Sequence, residues 1–117
     1  MAASPFYAHG QGQQSQVIIE GYLKKVKNIL INQKSFYRVI DSDMWMGSAP
    51  DKQLKKKYDL TNYYIELSKK EKCKFYLIPN HDNLLGLTIV RMITENVEER
   101  GLWYKKLQEV MPTEKRA

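Results

Sequence analysis

The chain has 117 residues, 43% of them hydrophobic and 27% charged, which suits one globular domain with a modest core and excludes a disordered or collagen-like chain. Its single cysteine, Cys73, excludes an internal disulfide, and no apolar run approaches the ~20 residues of a membrane-spanning helix, so the chain is expected to be soluble or peripheral to a membrane. The formal charge of +6 lies entirely within residues 22–57, where nine cations meet three anions, and a field concentrated in this way attracts polyanions or anionic membranes.

Residues 1–15, MAASPFYAHGQGQQS, are rich in Gly, Gln and Ser without periodicity and read as a flexible leader. The folded domain is expected over 16–112, with a tail at 113–117. A first strand is predicted over 17–27, where β-branched and aromatic residues surround Gly21 and a bend is expected. A second follows over 35–41, and the short linker makes the two a hairpin. Further strands are predicted at 44–49, 56–61, 63–69 and 73–79, the last stopped by Pro79. The cluster NHDNLLG is a turn, and the seventh strand covers 87–95.

The period then changes. Trp103, Leu107 and Val110 share one helical face, so a helix is predicted over 97–111. Asn96 is its N-cap, Glu99 the capping-box partner, and Pro112 its stop. Gly101 costs such a helix up to ~1 kcal/mol relative to alanine, so Trp103 is expected to hold it by packing on the sheets. The fold class is mainly β with one carboxy-terminal helix, a seven-stranded barrel or sandwich with a helical plug.

One stretch resists a purely structural reading. In LKKVKNILINQKSFYR, the aliphatic triplet Ile29-Leu30-Ile31 falls in a turn flanked by Asn28 and Asn32 and surrounded by lysines. Either the triplet folds back to cap the barrel or it projects as an apolar tip. The two asparagines favour a tight turn and fit both.

The order of EGYLKK, FYRVID, DLTNYYIELSKK and EERGLWYKKLQEV, covering residues 17–111, resembles a pleckstrin-homology (PH) domain. The resemblance implies two near-orthogonal antiparallel sheets capped at one end by the helix, with the first loop on an open rim that faces a bilayer. It further implies binding of anionic phospholipid headgroups. Lys25 falls on the strand-one lysine of lipid-binding members and Lys27 on a second basic position. The arginine expected next is replaced by Ser35 in one register and Phe36 in the other, with Lys34 displaced by one residue. An arginine fork grips two phosphate oxygens whereas lysine offers a point charge, so loose recognition of anionic lipid is expected, with a monophosphorylated lipid or phosphatidic acid standing level with a polyphosphoinositide.

The resulting candidate site has Lys25, Lys27, Lys34, Arg38, Lys55, Lys56 and Lys57 on headgroups and Ile29, Leu30 and Ile31 inserting into the membrane. A second basic site, Lys70, Lys72 and Lys74, is implied between the first loop and the hairpin of strands five and six; a solvated hairpin tip is the plainer reading.

Catalytic chemistry has little to stand on. His9 and His81 lack zinc spacing, Cys73 reads as an inert thiol, and Gly10-Gln11-Gly12 does not continue into a phosphate-binding loop. No enzyme, cofactor or metal site is expected. Trp45 alternates with Met44 and Met46, so one face of the third strand is core. Eight tyrosines and the positive charge would permit nucleic-acid stacking, but no motif supports it, and this reading ranks third. The leading expectation is a non-catalytic signalling adaptor at the cytosolic face of a membrane, binding phosphoinositide or phosphatidic acid. The alternative is a protein-interaction module on the same scaffold.

Overall fold

The computed structural model describes residues 16–28, 30–80 and 86–113. Expectations that fall elsewhere lie outside the described residues: the leader with His9, Ile29, the turn at 81–85 with His81, and the tail from 114 onward. In chain order the elements are β1 (Val17–Val26), β2 (Asn32–Ile40), β3 (Asp43–Gly47), β4 (Lys56–Asp59), a 3₁₀ turn (Leu60–Asn62), β5 (Tyr63–Leu67), β6 (Lys74–Pro79), β7 (Val90–Ile93) and α1 (Val97–Leu107). The strands are antiparallel and follow the order β4-β3-β2-β1-β7-β6-β5. The two expected sheets are thus continuous, joined where Lys24 and Lys25 of β1 pair with Ile93 and Met92 of β7.

Alternation along β1 and β2 sets the inner face. Ile19, Gly21, Leu23 and Lys25 lie opposite Val39, Tyr37, Ser35 and Gln33, and directly opposed residues share a side of the sheet. Ile19, Leu23, Tyr37 and Val39 are buried and join Met44, Leu60, Ile65, Phe75, Leu77, Met92, Trp103 and Leu107 in one core. Trp103 lies against β1: a β-carbon on Gly21 would sit 3.7 Å from its ring. The helix therefore plugs the barrel as its tryptophan requires.

Element boundaries depart from the sequence reading for identifiable reasons. β2 begins three residues early because Lys34, Gln33 and Asn32 extend the ladder with Lys24, Lys25 and Val26. It ends at Ile40 because Asp41 turns the chain with φ of 54°. β7 is shorter than expected. Thr94, which follows it, gives its N–H to the Cys73 carbonyl and its hydroxyl to the carbonyls of Cys73 and Asn96. α1 stops at Leu107 rather than 111. The next residues tighten into a turn that buries Met111 in the core and lets the Pro112 carbonyl accept the Ile65 N–H of β5.

At the start of α1, the Asn96 carboxamide oxygen accepts the Glu99 N–H at 2.8 Å, and the Glu99 carboxylate accepts the N–H of Glu95 at 3.4 Å, one residue beyond the usual capping-box position. Across the molecule, the Arg100 guanidinium donates to the carbonyls of Ser68, Glu71 and Lys74 and ties α1 to the β5–β6 hairpin.

The buried hydroxyl of Tyr37 has no hydrogen-bond partner among the described residues; Ser35 lies beside it without reaching hydrogen-bonding geometry. Burial, reinforced by charge repulsion from the nearby Tyr58 phenol, holds the Tyr37 phenol far above its ordinary pKa of 10.0.

Two consequences can be measured. Gly101 is helical and exposed, and a β-carbon added there would meet nothing within 4 Å, so Gly101→Ala should stabilise the protein by roughly 0.5–1 kcal/mol and raise the midpoint of thermal unfolding. Below pH 10 Tyr37 is neutral in both folded and unfolded chains; above it the unfolded chain ionises first, and stability falls. Tyr37→Phe should reduce the alkaline loss of stability by up to about 1.4 kcal/mol per pH unit above pH 10, and parallel denaturation curves for the two proteins would contradict this.

Candidate headgroup-binding rim

The β1–β2 turn is organised by Asn28. Its carboxamide oxygen accepts the N–H groups of Leu30 at 2.9 Å and Ile31 at 3.0 Å, while the Lys27 N–H closes the turn on the Ile31 carbonyl at 2.9 Å. Asparagine thereby satisfies the backbone without the aliphatic side chains folding inward. Leu30 is 90% exposed and Ile31 52% exposed. Among the described residues of the triplet, the apolar side chains face outward at the tip.

Strand parity divides the cations below the tip. Lys25 is on the inner face at the barrel mouth, where its Nζ donates to the Tyr58 hydroxyl at 2.8 Å. Lys56, two residues from Tyr58 and so on the same face, also reaches that tyrosine. The two ammonium nitrogens each lie 5.5 Å from the same ring centroid, so Tyr58 draws cations from β1 and β4 into one place. Lys55, exposed, precedes β4 and donates its backbone N–H to the Met46 carbonyl.

The other predicted cations lie elsewhere. Lys34 pairs across the ladder with Lys24 on the outer face and rests over the Tyr22 ring at 5.3 Å. Arg38 is further down the same face, where its Nε meets the Glu20 carboxylate at 2.6 Å and its guanidinium covers Phe36. Lys57 is outward-facing too, 3.8 Å from Asp43 and above Trp45. The one-residue displacement of Lys34 from the arginine position is therefore a change of side, and Ser35 occupies the inner position, buried opposite Leu23.

A second concavity lies on the outer side, between the β1–β2 turn and the β5–β6 hairpin. It encloses about 510 Å³ and brings Lys27 together with Lys74 and Arg91, with Asn28 and Asn32 at the turn. Lys74 is the least exposed of its cations and is held by Glu71 at 2.6 Å. Lys70 and Lys72 are exposed on the hairpin but do not line this cleft. The hairpin is itself shaped by Ser68, whose hydroxyl accepts the N–H groups of Lys70 and Glu71.

Two residues of this region were missed in the sequence reading. Tyr58 is one of eight tyrosines with nothing local to single it out, and its hydroxyl's partner lies 33 residues away. Arg91 carried a usable signal as the one cation of the predicted seventh strand, and the structure places its charge outward on the side of Ile93.

No protein-family model and no curated protein matches the sequence. Solved structures do match. A DH/PH fragment of PDZRHOGEF, crystallised in complex with human RhoA, superposes with a TM-score of 0.72 at 16% identity, covering 82% of this chain and 28% of that one. The Slm1 PH domain in complex with inositol-4-phosphate gives 0.70 at 17% identity over 81% of this chain and 96% of that one. The PH domain of human oxysterol binding protein-related protein 11 gives 0.64 at 16% identity over 86% and 82%. The chain spans about a third or less of the length of the DH/PH chains it matches. With its seven-stranded antiparallel sheet closed by one carboxy-terminal helix, this chain has the pleckstrin-homology fold.

Proposed function

We propose that the domain is a non-catalytic membrane-recruitment module that binds anionic phospholipid headgroups at its open rim, on the cytosolic face of a membrane. The observation that carries this reading is Leu30, 90% exposed on a turn held by Asn28, with cations immediately beneath it. A large aliphatic side chain displayed this way in water gains nothing for the fold and gains from an acyl boundary.

Two cation groups serve the headgroups in this reading. Lys25 and Lys56, drawn together by Tyr58, face the inner mouth; Lys27, Lys74 and Arg91 line the outer cleft. Lys34, Arg38 and Lys57 contribute to the general field rather than to a headgroup pocket, since they lie on the outer face and line neither the mouth nor the cleft. The inositol-4-phosphate bound by the Slm1 domain makes a phosphorylated inositol a reasonable ligand class. Serine at the inner arginine position favours a single phosphomonoester, whether on inositol or in phosphatidic acid.

Magnitudes assign the tip its role. Four engaged cations near an anionic leaflet supply ~4 kcal/mol, corresponding to about millimolar binding. Partial burial of Leu30 and Ile31 adds roughly 3 kcal/mol and brings the total near 10 µM. Charge selects the surface, and the apolar tip holds it.

Vesicle co-sedimentation tests both parts. With vesicles containing phosphatidic acid or a monophosphorylated phosphoinositide, Lys25→Glu should weaken partitioning about thirtyfold and Leu30→Asp at least about tenfold, whereas Arg38→Gln should change it little. Unchanged partitioning of both Lys25→Glu and Leu30→Asp would reject the lipid reading. Loss with Lys25→Glu alone would reject insertion of the tip and leave headgroup binding.

A further inference from the structure

The side of the molecule next to α1 has a different character. Among the described residues, β1 over Val17–Leu23 pairs with β2 only, because β7 joins β1 just at Lys24 and Lys25. An edge of this kind presents N–H and C=O groups to any extended chain laid beside it. α1 runs alongside, and between the two lies a groove of about 360 Å³. Gly21 gives it a floor without a side chain, over the Trp103 ring, and half-exposed Tyr22 and Leu102 flank it.

The charge of the groove opposes that of the protein. Three carboxylates, from Glu20, Glu95 and Glu99, line it against one ammonium, Lys34, in a chain whose formal charge is +6. Glu20 is neutralised by Arg38, while no ion pair among the described residues engages Glu95 or Glu99. An anionic membrane is repelled by such a surface. A basic chain is attracted.

We propose that this groove binds an extended segment of a protein partner in which Lys or Arg alternates with apolar residues. The segment adds a strand to the open edge of β1, seats an apolar side chain between Tyr22 and Leu102, and directs its cations to Glu95 and Glu99. Main-chain pairing supplies the attachment, and the carboxylates supply the preference for basic sequence. This inference is independent of the headgroup reading, which uses other residues, Lys25 and Lys56 at the mouth and Lys27, Lys74 and Arg91 in the outer cleft.

The test is an amide chemical-shift titration of the whole chain with an equimolar pool of acetylated octapeptides alternating Lys or Arg with Val, Leu or Phe. Saturable shifts are expected at the amides of Glu20–Tyr22 and at the Trp103 indole. Leu102→Asp should weaken binding about tenfold and Glu95→Lys about fivefold, with vesicle partitioning of both variants retained. Absence of saturable shifts at these groups would overturn the proposal. Equal response to a pool with Glu in place of the cations, wild-type binding by both variants, or the same shifts produced by anionic vesicles would do so as well.

Discussion

The register of β1 on β2 is the constraint from which the surface chemistry of this domain follows. Leu23 faces Ser35, and therefore Lys25 faces Gln33 and Lys24 faces Lys34. A strand has a period of two, so slippage by one residue would exchange the core row with the solvent row along the whole hairpin. Burial of Ile19, Leu23, Tyr37 and Val39 makes that exchange prohibitive. The same burial that stabilises the barrel therefore dictates which lysines reach its mouth and which lie outside it. Lys25 arrives at the mouth because it is the next inward position after Leu23, where the core gives way to Tyr58.

Local hydrogen bonding then decides what the hairpin displays. In the β1–β2 turn, the Asn28 side chain does for the backbone what inward packing of aliphatics would otherwise have to do, and Leu30 is left in solvent. In the β5–β6 turn, Ser68 organises the tip from within while Arg100 grips three of its carbonyls from the helix. A charged donor in a partly buried position contributes more than a neutral one, so the hairpin is held to α1 as well as to the sheet. The outer cleft lies between these two supported turns and inherits their geometry.

The same sheet separates charge by position. Its open rim and outer cleft carry Lys25, Lys27, Lys56, Lys74 and Arg91, while its β1 edge faces Glu95 and Glu99 at the start of α1. Under the two proposals, a membrane and a protein segment address different parts of the barrel without competing for one site. The acidic first turn of α1, Glu98 and Glu99, also suits the positive end of the helix dipole, so Glu99 stabilises the helix whether or not a partner is present.

Much of the fold was legible in the amino-acid order because its signals are local. Seven stretches with strand composition, the Asn96 cap, and the spacing of Trp103 and Leu107 each concern residues within a turn or two of one another. The exposed tip was one of two open readings, and only the Asn28 bonds separated them. The candidate site was legible as a set of residue types, lysines around an aliphatic triplet, but not as an arrangement. Lys34 and Arg38 are close to Lys25 in sequence yet occupy the other side of the sheet, while Tyr58, Lys74 and Arg91 are remote in sequence yet adjoin the first turn or its strand. By itself, the sequence determined the strand and helix content, the concentration of positive charge in one third of the chain, and the presence of a greasy turn among lysines. Tertiary structure alone decided which cations converge, that Tyr58 gathers two of them, and that part of β1 is, among the described residues, an unpaired edge beside an acidic helix terminus. Propensity and patterning act over a few residues, whereas register, face and sheet closure depend on contacts between segments tens of residues apart.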